Sequence, residues 1–190
     1  MKKWKTLFIA LLGINVLGAI LIIAFIFQPV DKANPTPSEK VEGDAELTIL
    51  AKKADLNVLI DKYLKKEFKN QPLNYKITLT DVVRVDGTIQ VFGDDINIRM
   101  TFDPIVQKNG DIVLEQQSLS VGKLQLPVRT VLRYVNNNFA LPEWVTIDPK
   151  NESVYVALQQ MKLESDFAVK VQKFDLKNDD IRVRLISRSE

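Results

Sequence analysis

The stretch DINIRMTFD, residues 95–103, decides the fold class. Its apolar and polar residues alternate, so that Ile96, Ile98, Met100 and Phe102 point to one face of an extended strand. A helix would need apolar residues three and four positions apart instead. One apolar and one polar face are typical of an antiparallel sheet that covers a core on one side and meets water on the other.

Similar alternation recurs on both sides of this stretch. It predicts further strands around residues 75–79, 154–158, 167–171 and 181–185. The dipeptides Asp86-Gly87 and Asn109-Gly110 lie between such runs, and each predicts a tight hairpin turn. Hairpins between neighbouring strands favour antiparallel over parallel pairing.

Two segments have helical periodicity. Residues 55–69 place apolar side chains at spacings of three and four, with lysines on the other face. A second helix is predicted to begin at Pro127, a favourable first-turn residue, and to end at Leu141-Pro142. The predicted order is strand, helix, about four long strands, helix, and three or four strands. The fold class is therefore α+β, with long antiparallel strands packed on two amphipathic helices.

The N-terminal segment is of a different kind. No charged residue occurs from Thr6 to Val30, and as a helix its apolar part would span roughly 30 Å, the thickness of the hydrocarbon core of a bilayer. Three lysines precede it, which predicts a cytoplasmic N-terminus and an exported remainder. The residues before Pro29 are too bulky for a signal-peptidase site, so we expect an uncleaved anchor.

These features divide the chain into four predicted parts. Residues 1–5 are a cytoplasmic tail and residues 6–27 a transmembrane signal anchor. Residues 28–44, which contain several prolines, are an extracytoplasmic spacer, and residues 45–190 are an extracytoplasmic α+β domain. The predicted location is the cell membrane, with a single pass and the C-terminal domain outside.

Composition excludes several classes of function. Three of the 26 Lys and Arg residues precede the anchor, which leaves 23 against 24 Asp and Glu residues, so the exported part is near neutral and no nucleic-acid partner is expected. The chain has no cysteine, which excludes disulfides and an N-terminal lipid on cysteine; we expect a Gram-positive source. It has no histidine, which excludes Ser-His-Asp catalysis and the commonest zinc sites.

The remaining polar motifs favour structural roles. Residues 120–123, SVGK, match the S-x-x-K pattern of serine acyl enzymes, but in a strand the serine and the lysine would face opposite sides. The Asp pairs at 94–95 and 179–180 adjoin predicted turns, where carboxylates cap the backbone. The lysines between residues 62 and 69 favour a solvated helix face over a site for anionic lipid or teichoic-acid phosphates. We predict no catalytic residue, no metal ligand and no cofactor, and the protein is expected not to be an enzyme.

Three segments carry a resemblance to a known family. They are DLNxxIxxYL at residues 55–64, LP at 126–127 and FxLPxWVxIxP at 139–149. With the anchor and spacer, this layout resembles the YpmS family of membrane-anchored proteins of Gram-positive bacteria over nearly the full length. The resemblance implies the topology and supplies no catalytic residues. At the level of fold, long strands wrapped around helices are also similar to tubular lipid-binding domains, which hold acyl chains in an apolar groove.

Two functions remain open from the sequence, because two helices must cover a large apolar sheet face. If the face is only partly covered, a groove between helices and sheet binds a lipid or a lipid-linked envelope component. If the core is closed, the domain is an interaction module that presents a sheet edge or its polar face to another envelope protein. The predicted groove-lining residues are Leu59, Tyr63, Ile98, Phe102, Val131 and Val135.

Overall fold

A computed structural model shows two compact units, Met1–Asp31 and Lys32–Glu190. The first unit contains helix α1, Lys2–Ile26. The structure describes residues 2–26, 35–38, 45–67, 75–91, 94–122, 126–139, 141–161, 163 and 167–187. The elements of the second unit are β1 (Glu46–Ala51), α2 (Lys53–Glu67), β2 (Tyr75–Leu79), β3 (Val83–Val91), β4 (Asp94–Val106), β5 (Ile112–Val121), α3 (Val128–Asn138), β6 (Val145–Asp148), β7 (Ser153–Val156), a 3-10 helix (Leu158–Gln160), β8 (Phe167–Asp175) and β9 (Asp180–Ser187).

Helix α1 is 25 residues long and covers the predicted anchor except for Phe27, which lies outside the described residues. Large apolar side chains are exposed along it, from Phe8 to Leu21. Its strongly polar residue, Asn15, donates a hydrogen bond from Nδ2 to the Leu11 carbonyl oxygen at 2.8 Å. Within the described residues, no helix meets the length and apolarity required to cross a membrane.

The second unit confirms the predicted α+β class and the predicted order of strands and helices. Its strands form two sheets rather than one: a three-stranded sheet ordered β1-β9-β8 and a six-stranded sheet ordered β2-β3-β4-β5-β7-β6. All pairings in both sheets are antiparallel. The first strand of the unit therefore pairs with the last, a contact across about 140 residues of chain that no local pattern predicts.

The alternating stretch forms β4, a central strand of the six-stranded sheet. Ile98, Met100 and Phe102 are buried, and Phe102 is only 2% exposed. Helix α3 adds Val131 and Leu132 to the same core, which Leu56 and Ile60 of α2 also contact. The pairing of β4 with β5 shifts between Thr101 and Phe102, a bulge that increases the local twist of the sheet.

One side chain fixes α2 against the edge of this sheet. Asn57 accepts a hydrogen bond from the Leu79 amide at 2.7 Å and donates one to the Leu79 carbonyl at 3.0 Å. Because β2 is an edge strand of the sheet, the amide side chain supplies partners that a further strand would otherwise provide. Asn57 therefore has a structural role within the DLNxxIxxYL segment.

The two predicted hairpin turns have different outcomes. Asn109-Gly110 lies in the connection between β4 and β5, as predicted. Asp86-Gly87 lies inside β3, paired with Arg99 and Ile98 of β4, so the prediction of a turn there is wrong. Within this strand pair Asp86 forms an ion pair with Arg99 at 2.6 Å. The connection between β3 and β4 falls at residues 92–93, which lie outside the described residues.

Replacing Gly110 by alanine is expected to lower the free energy of unfolding by about 1–3 kcal/mol. Gly110 has φ = +92°, which is unfavourable for a residue with a Cβ atom, and that Cβ would overlap the Lys170 side chain. Urea unfolding of the full chain in a non-ionic detergent measures the change. Lys108→Ala, at an exposed position in the same turn, is the control; equal stabilities of the two variants would contradict the expectation.

Candidate functional site

The predicted groove residues do not lie on one surface. Ile98, Phe102 and Val131 belong to the closed core between the six-stranded sheet and the helices, so none of them offers exposed surface to a ligand in this conformation. Leu59 is 60% exposed, and the prediction that it faces inward is wrong. Its neighbour Ile60 occupies the core-facing position instead, and one residue along a helix is a rotation of about 100°.

The other two predicted residues are half-buried at the margin of this core. Tyr63 contacts Trp144 edge-on, with ring centroids 5.9 Å apart, and its hydroxyl accepts a hydrogen bond from Trp144 Nε1 at 3.3 Å. Val135 packs against the core cluster from α3. Tyr63 and Trp144 therefore pack against each other at the margin of the core. A ligand contact of any of the predicted groove residues stays a prediction.

An apolar surface does occur, on the three-stranded sheet. Three cross-strand rows of apolar residues share one face of this sheet, and burial decreases from the first row to the last. The rows are Ala51–Ile181–Phe174, Ile49–Val183–Val171 and Leu47–Leu185–Val169. Ile181 is fully buried in the core, whereas Ile49 is 43% and Leu47 57% exposed. Along β1 the apolar face therefore continues beyond the core into solvent, while Val169, Val183 and Leu185 beside it are half-buried.

We call Leu47, Ile49, Val169, Val183 and Leu185 the open face. Alternate residues of a strand are about 7 Å apart and neighbouring strands about 4.8 Å, so the open face is about 7 Å long from Ile49 to Leu47 and about 10 Å wide across the three strands. Its side chains are all aliphatic and contain no hydrogen-bonding group. Such a surface can bind by exclusion of water and by dispersion, and it offers no polar selectivity.

The opposite face of the same sheet carries several charged residues, although Ala168 and Ile186 on that face are buried. Arg184 forms an ion pair with Glu46 at 2.7 Å, and Lys173 and Arg182 both contact Asp180. Leu50 also lies on that face, paired with Arg182, and is 70% exposed. Leu50 is therefore an exposed leucine of β1 that does not belong to the open face.

A buried carboxylate attaches part of the predicted spacer to the second unit. Asp111 is 0% exposed, and its carboxylate accepts hydrogen bonds from the backbone amide and the hydroxyl of Ser38, at 3.0 and 2.9 Å. Asn109 Nδ2 and the Tyr155 hydroxyl each donate to Asp111 Oδ2 at 2.7 Å. Gln160 Nε2 adds a bond to the Thr36 carbonyl at 3.2 Å. Residues 35–38 are therefore held against the fold.

Tyr155 supports this arrangement as a donor. Burial raises the pKa of its hydroxyl, and Asp111 raises this pKa further, while the hydrogen bond from Asn109 opposes the shift. The hydroxyl therefore stays protonated at neutral pH and donates to the carboxylate. The cluster therefore has a structural role: its polar groups bind each other and hold residues 35–38 against the second unit.

The other motifs agree with structural roles where the structure describes them. Ser120 is exposed on β5, and Lys123 lies outside the described residues. Asp179 has φ = +53° in the turn before β9 and accepts a hydrogen bond from the Lys53 amide at 2.7 Å. Lys65 pairs with Asp61 on an exposed face of α2 at 2.7 Å. Asp94-Asp95 begin β4, and the described residues contain no group of acidic side chains that could hold a metal ion.

Comparison with known proteins gives two matches. A family model described as "Uncharacterized protein conserved in bacteria (DUF2140)" matches residues 2–187. The "Uncharacterized protein YpmS" of Bacillus subtilis (strain 168) is 34% identical over 181 residues, which cover 95% of each chain. No solved structure matches. The matches extend over α1 as well as the second unit.

Proposed function

The chain belongs to the DUF2140 family together with YpmS, as the resemblance predicted, and we propose that it is a membrane-anchored, non-catalytic protein that binds the acyl chain of a lipid on its open face. The observation that carries the proposal is the aliphatic surface that leaves the core at Ile49 and Leu47. The ligand is a lipid or a lipid-linked envelope component. The predicted groove between the helices and the six-stranded sheet has no part in it.

The chemistry of the open face favours an acyl chain over a protein partner. Protein interfaces combine an apolar centre with a rim of hydrogen bonds, and the residues of the open face offer none from their side chains. Full burial of a methylene contributes about 0.8 kcal/mol, so roughly six methylenes across this surface contribute at most about 5 kcal/mol before the cost of ordering the chain.

The sequence of α1 supports the membrane anchor. The uncharged stretch from Thr6 to Val30 extends beyond the described end of α1, and large apolar side chains are exposed along it from Phe8 to Leu21. The hydrogen bond from Asn15 to Leu11 satisfies an amide donor that would be costly to bury unpaired in lipid. An anchor of this kind keeps the second unit near the membrane, from which the ligand comes.

The edge of β1 favours a second candidate function. β1 is an edge strand of its sheet within the described residues, and Leu50 is exposed beside that edge. An extended segment of another envelope protein could add to such an edge through backbone hydrogen bonds, as in other sheet-extension complexes. This partner would contact Leu50 as readily as Leu47, whereas an acyl chain on the open face contacts only Leu47.

Replacing Leu47 by lysine is expected to reduce the lipid that copurifies with the protein at least about tenfold. The substitution puts an ammonium group on the open face, and a loss of about 1.4 kcal/mol of binding free energy lowers the affinity tenfold. The measurement is native mass spectrometry of the full chain extracted from membranes in a mild detergent. The wild-type protein is expected to retain a lipid mass.

Leu50→Lys is the matched control, because it makes the same change at an exposed site of the same strand on the opposite face. It should retain as much lipid as the wild type. Lipid-free wild-type protein in repeated preparations, or an equal loss of lipid in the two variants, would refute the proposal.

A further inference from the structure

A row of polar side chains crosses the outer face of the six-stranded sheet. Lys76 on β2 is opposite Asp86 on β3, Asp86 is opposite Arg99 on β4, and Arg99 is opposite Ser120 on β5. Arg84 lies two residues before Asp86 and therefore shares its face. This row is on the other sheet from the open face.

Asp86 holds two guanidinium groups at once. Its Oδ1 pairs with Arg99 Nε at 2.6 Å, and its Oδ2 pairs with Arg84 Nε at 2.9 Å. The hydrogen bond from Arg99, with a smaller effect of Arg84, keeps the pKa of Asp86 below its usual range despite partial burial. The carboxylate is therefore ionised at neutral pH. A guanidinium group that a carboxylate holds through a hydrogen bond, as Asp86 holds Arg99, is preorganised for a further acceptor.

The row has an excess of positive charge. Lys76, Arg84 and Arg99 carry three cations against the single anion of Asp86. Asp95 and Asp103, the acidic residues on the same face of β4, are each four residues from Arg99, about 14 Å away along the strand. This exceeds the Debye length of about 8 Å at physiological ionic strength, so they do not neutralise the row.

An open cleft of about 730 Å³ lies over these residues, and Lys76, Asp86, Asn97, Arg99 and Ser120 are among those that line it. Arg99 bonds to Asp86 through Nε, and its side chain is still 61% exposed. Its terminal amino groups are therefore accessible from the cleft. Hydroxyl and amide groups beside a guanidinium are the donors that a phosphate group accepts from.

We propose that this cleft binds a phosphate group, with Arg99 and Lys76 as its direct contacts and Asp86 as the residue that positions Arg99. Among the residues that line the cleft, Lys76 and Arg99 exceed Asp86 by one positive charge, which favours a phosphate anion. The cleft is an additional site and does not depend on lipid binding by the open face. A free polyol phosphate and the headgroup of a lipid both present this chemistry.

Isothermal titration of the full chain in dodecyl maltoside tests the site with two probes, glycerol 1-phosphate and dihexanoyl phosphatidylglycerol. Saturable binding of at least one probe is expected, and Arg99→Gln should weaken it about tenfold to a hundredfold through loss of a charged donor. Lys76→Gln should weaken it in the same direction, which keeps the test valid if Arg99→Gln does not fold. Lys62→Gln, an exposed lysine on α2, is the control.

The two probes distinguish the source of the phosphate. Tighter binding of glycerol 1-phosphate identifies a free polyol phosphate, and tighter binding of the phospholipid identifies a headgroup; both results support the site. Absence of saturable binding of either probe to the wild type overturns it, as does an equal weakening in the Arg99, Lys76 and Lys62 variants. The Leu47→Lys variant should bind glycerol 1-phosphate normally, so failure of this site and failure of the lipid proposal are separable.

Discussion

Replacing Phe102 by alanine is expected to lower the free energy of unfolding by about 3–5 kcal/mol. Phe102 is 2% exposed on the central strand β4 and belongs to the core cluster with Met100, Val131 and Leu132. Removal of the ring leaves a cavity that the paired strands β3 and β5 cannot close without breaking their register. Urea unfolding of the full chain, followed by far-UV circular dichroism, measures the loss.

The same variant tests whether Phe102 is a core residue or a residue that lines a groove and contacts a ligand. Leu59→Ala is the control, because Leu59 was predicted to line the same groove but is 60% exposed, and its removal should cost less than about 0.5 kcal/mol. The Phe102→Ala variant should still bind lipid, in an amount proportional to the fraction of the protein that is folded. Small, equal losses of stability in the two variants would mean that Phe102 lines a vacant groove, contrary to the structure.

Replacing Asp111 by alanine is expected to lower the free energy of unfolding by about 3 kcal/mol and to release residues 35–38 from the fold. The substitution removes the acceptor of four hydrogen bonds, from two donors of Ser38 and one each of Asn109 and Tyr155. A buried donor left without its partner costs about 1–3 kcal/mol. Part of this free energy is recovered if Ser38 leaves the fold and its donors bind water. Hydrogen exchange of the Ser38 amide should therefore accelerate, in addition to the loss in urea unfolding.

Two controls define this second prediction. Asp103→Ala removes an exposed carboxylate from the neighbouring strand β4 and should leave stability within about 0.5 kcal/mol of the wild type. Ser38→Ala should accelerate the exchange of the amides of Thr36 and residue 38 with a smaller loss of stability, because Asn109 and Tyr155 still bind the carboxylate. Unchanged exchange at Ser38 in the Asp111 variant would show that the carboxylate does not hold this segment.

The sequence predicted the fold class because the alternation in β4 is imposed by a sheet with one buried face. The same alternation could not show that the strands form two sheets, since it assigns residues to faces and not to partner strands. The pairing of Leu47 with Leu185 joins opposite ends of the second unit. This pairing creates the open face, so the surface that we propose as the lipid site had no local signal in the sequence.

Three residues show other limits of prediction from sequence. Leu59 was predicted to face inward because it fits a helical spacing of three from Leu56, and only packing reveals that Ile60 takes the core position. Asp86 was read with Gly87 as a turn, although its partner Arg99 lies across the strand pair. Asp111 follows a clear turn signal, Asn109-Gly110, but its burial depends on Ser38, 73 residues away.

Site-specific photocrosslinking in intact cells tests the central claim, lipid binding on the open face, most directly. Leu47→p-benzoylphenylalanine and Leu50→p-benzoylphenylalanine place the same crosslinker on the two faces of β1. The account predicts a lipid-mass adduct from position 47 and none from position 50, identified by mass spectrometry of the purified chain. A dominant protein adduct at both positions, or the absence of any lipid adduct at position 47, would contradict it.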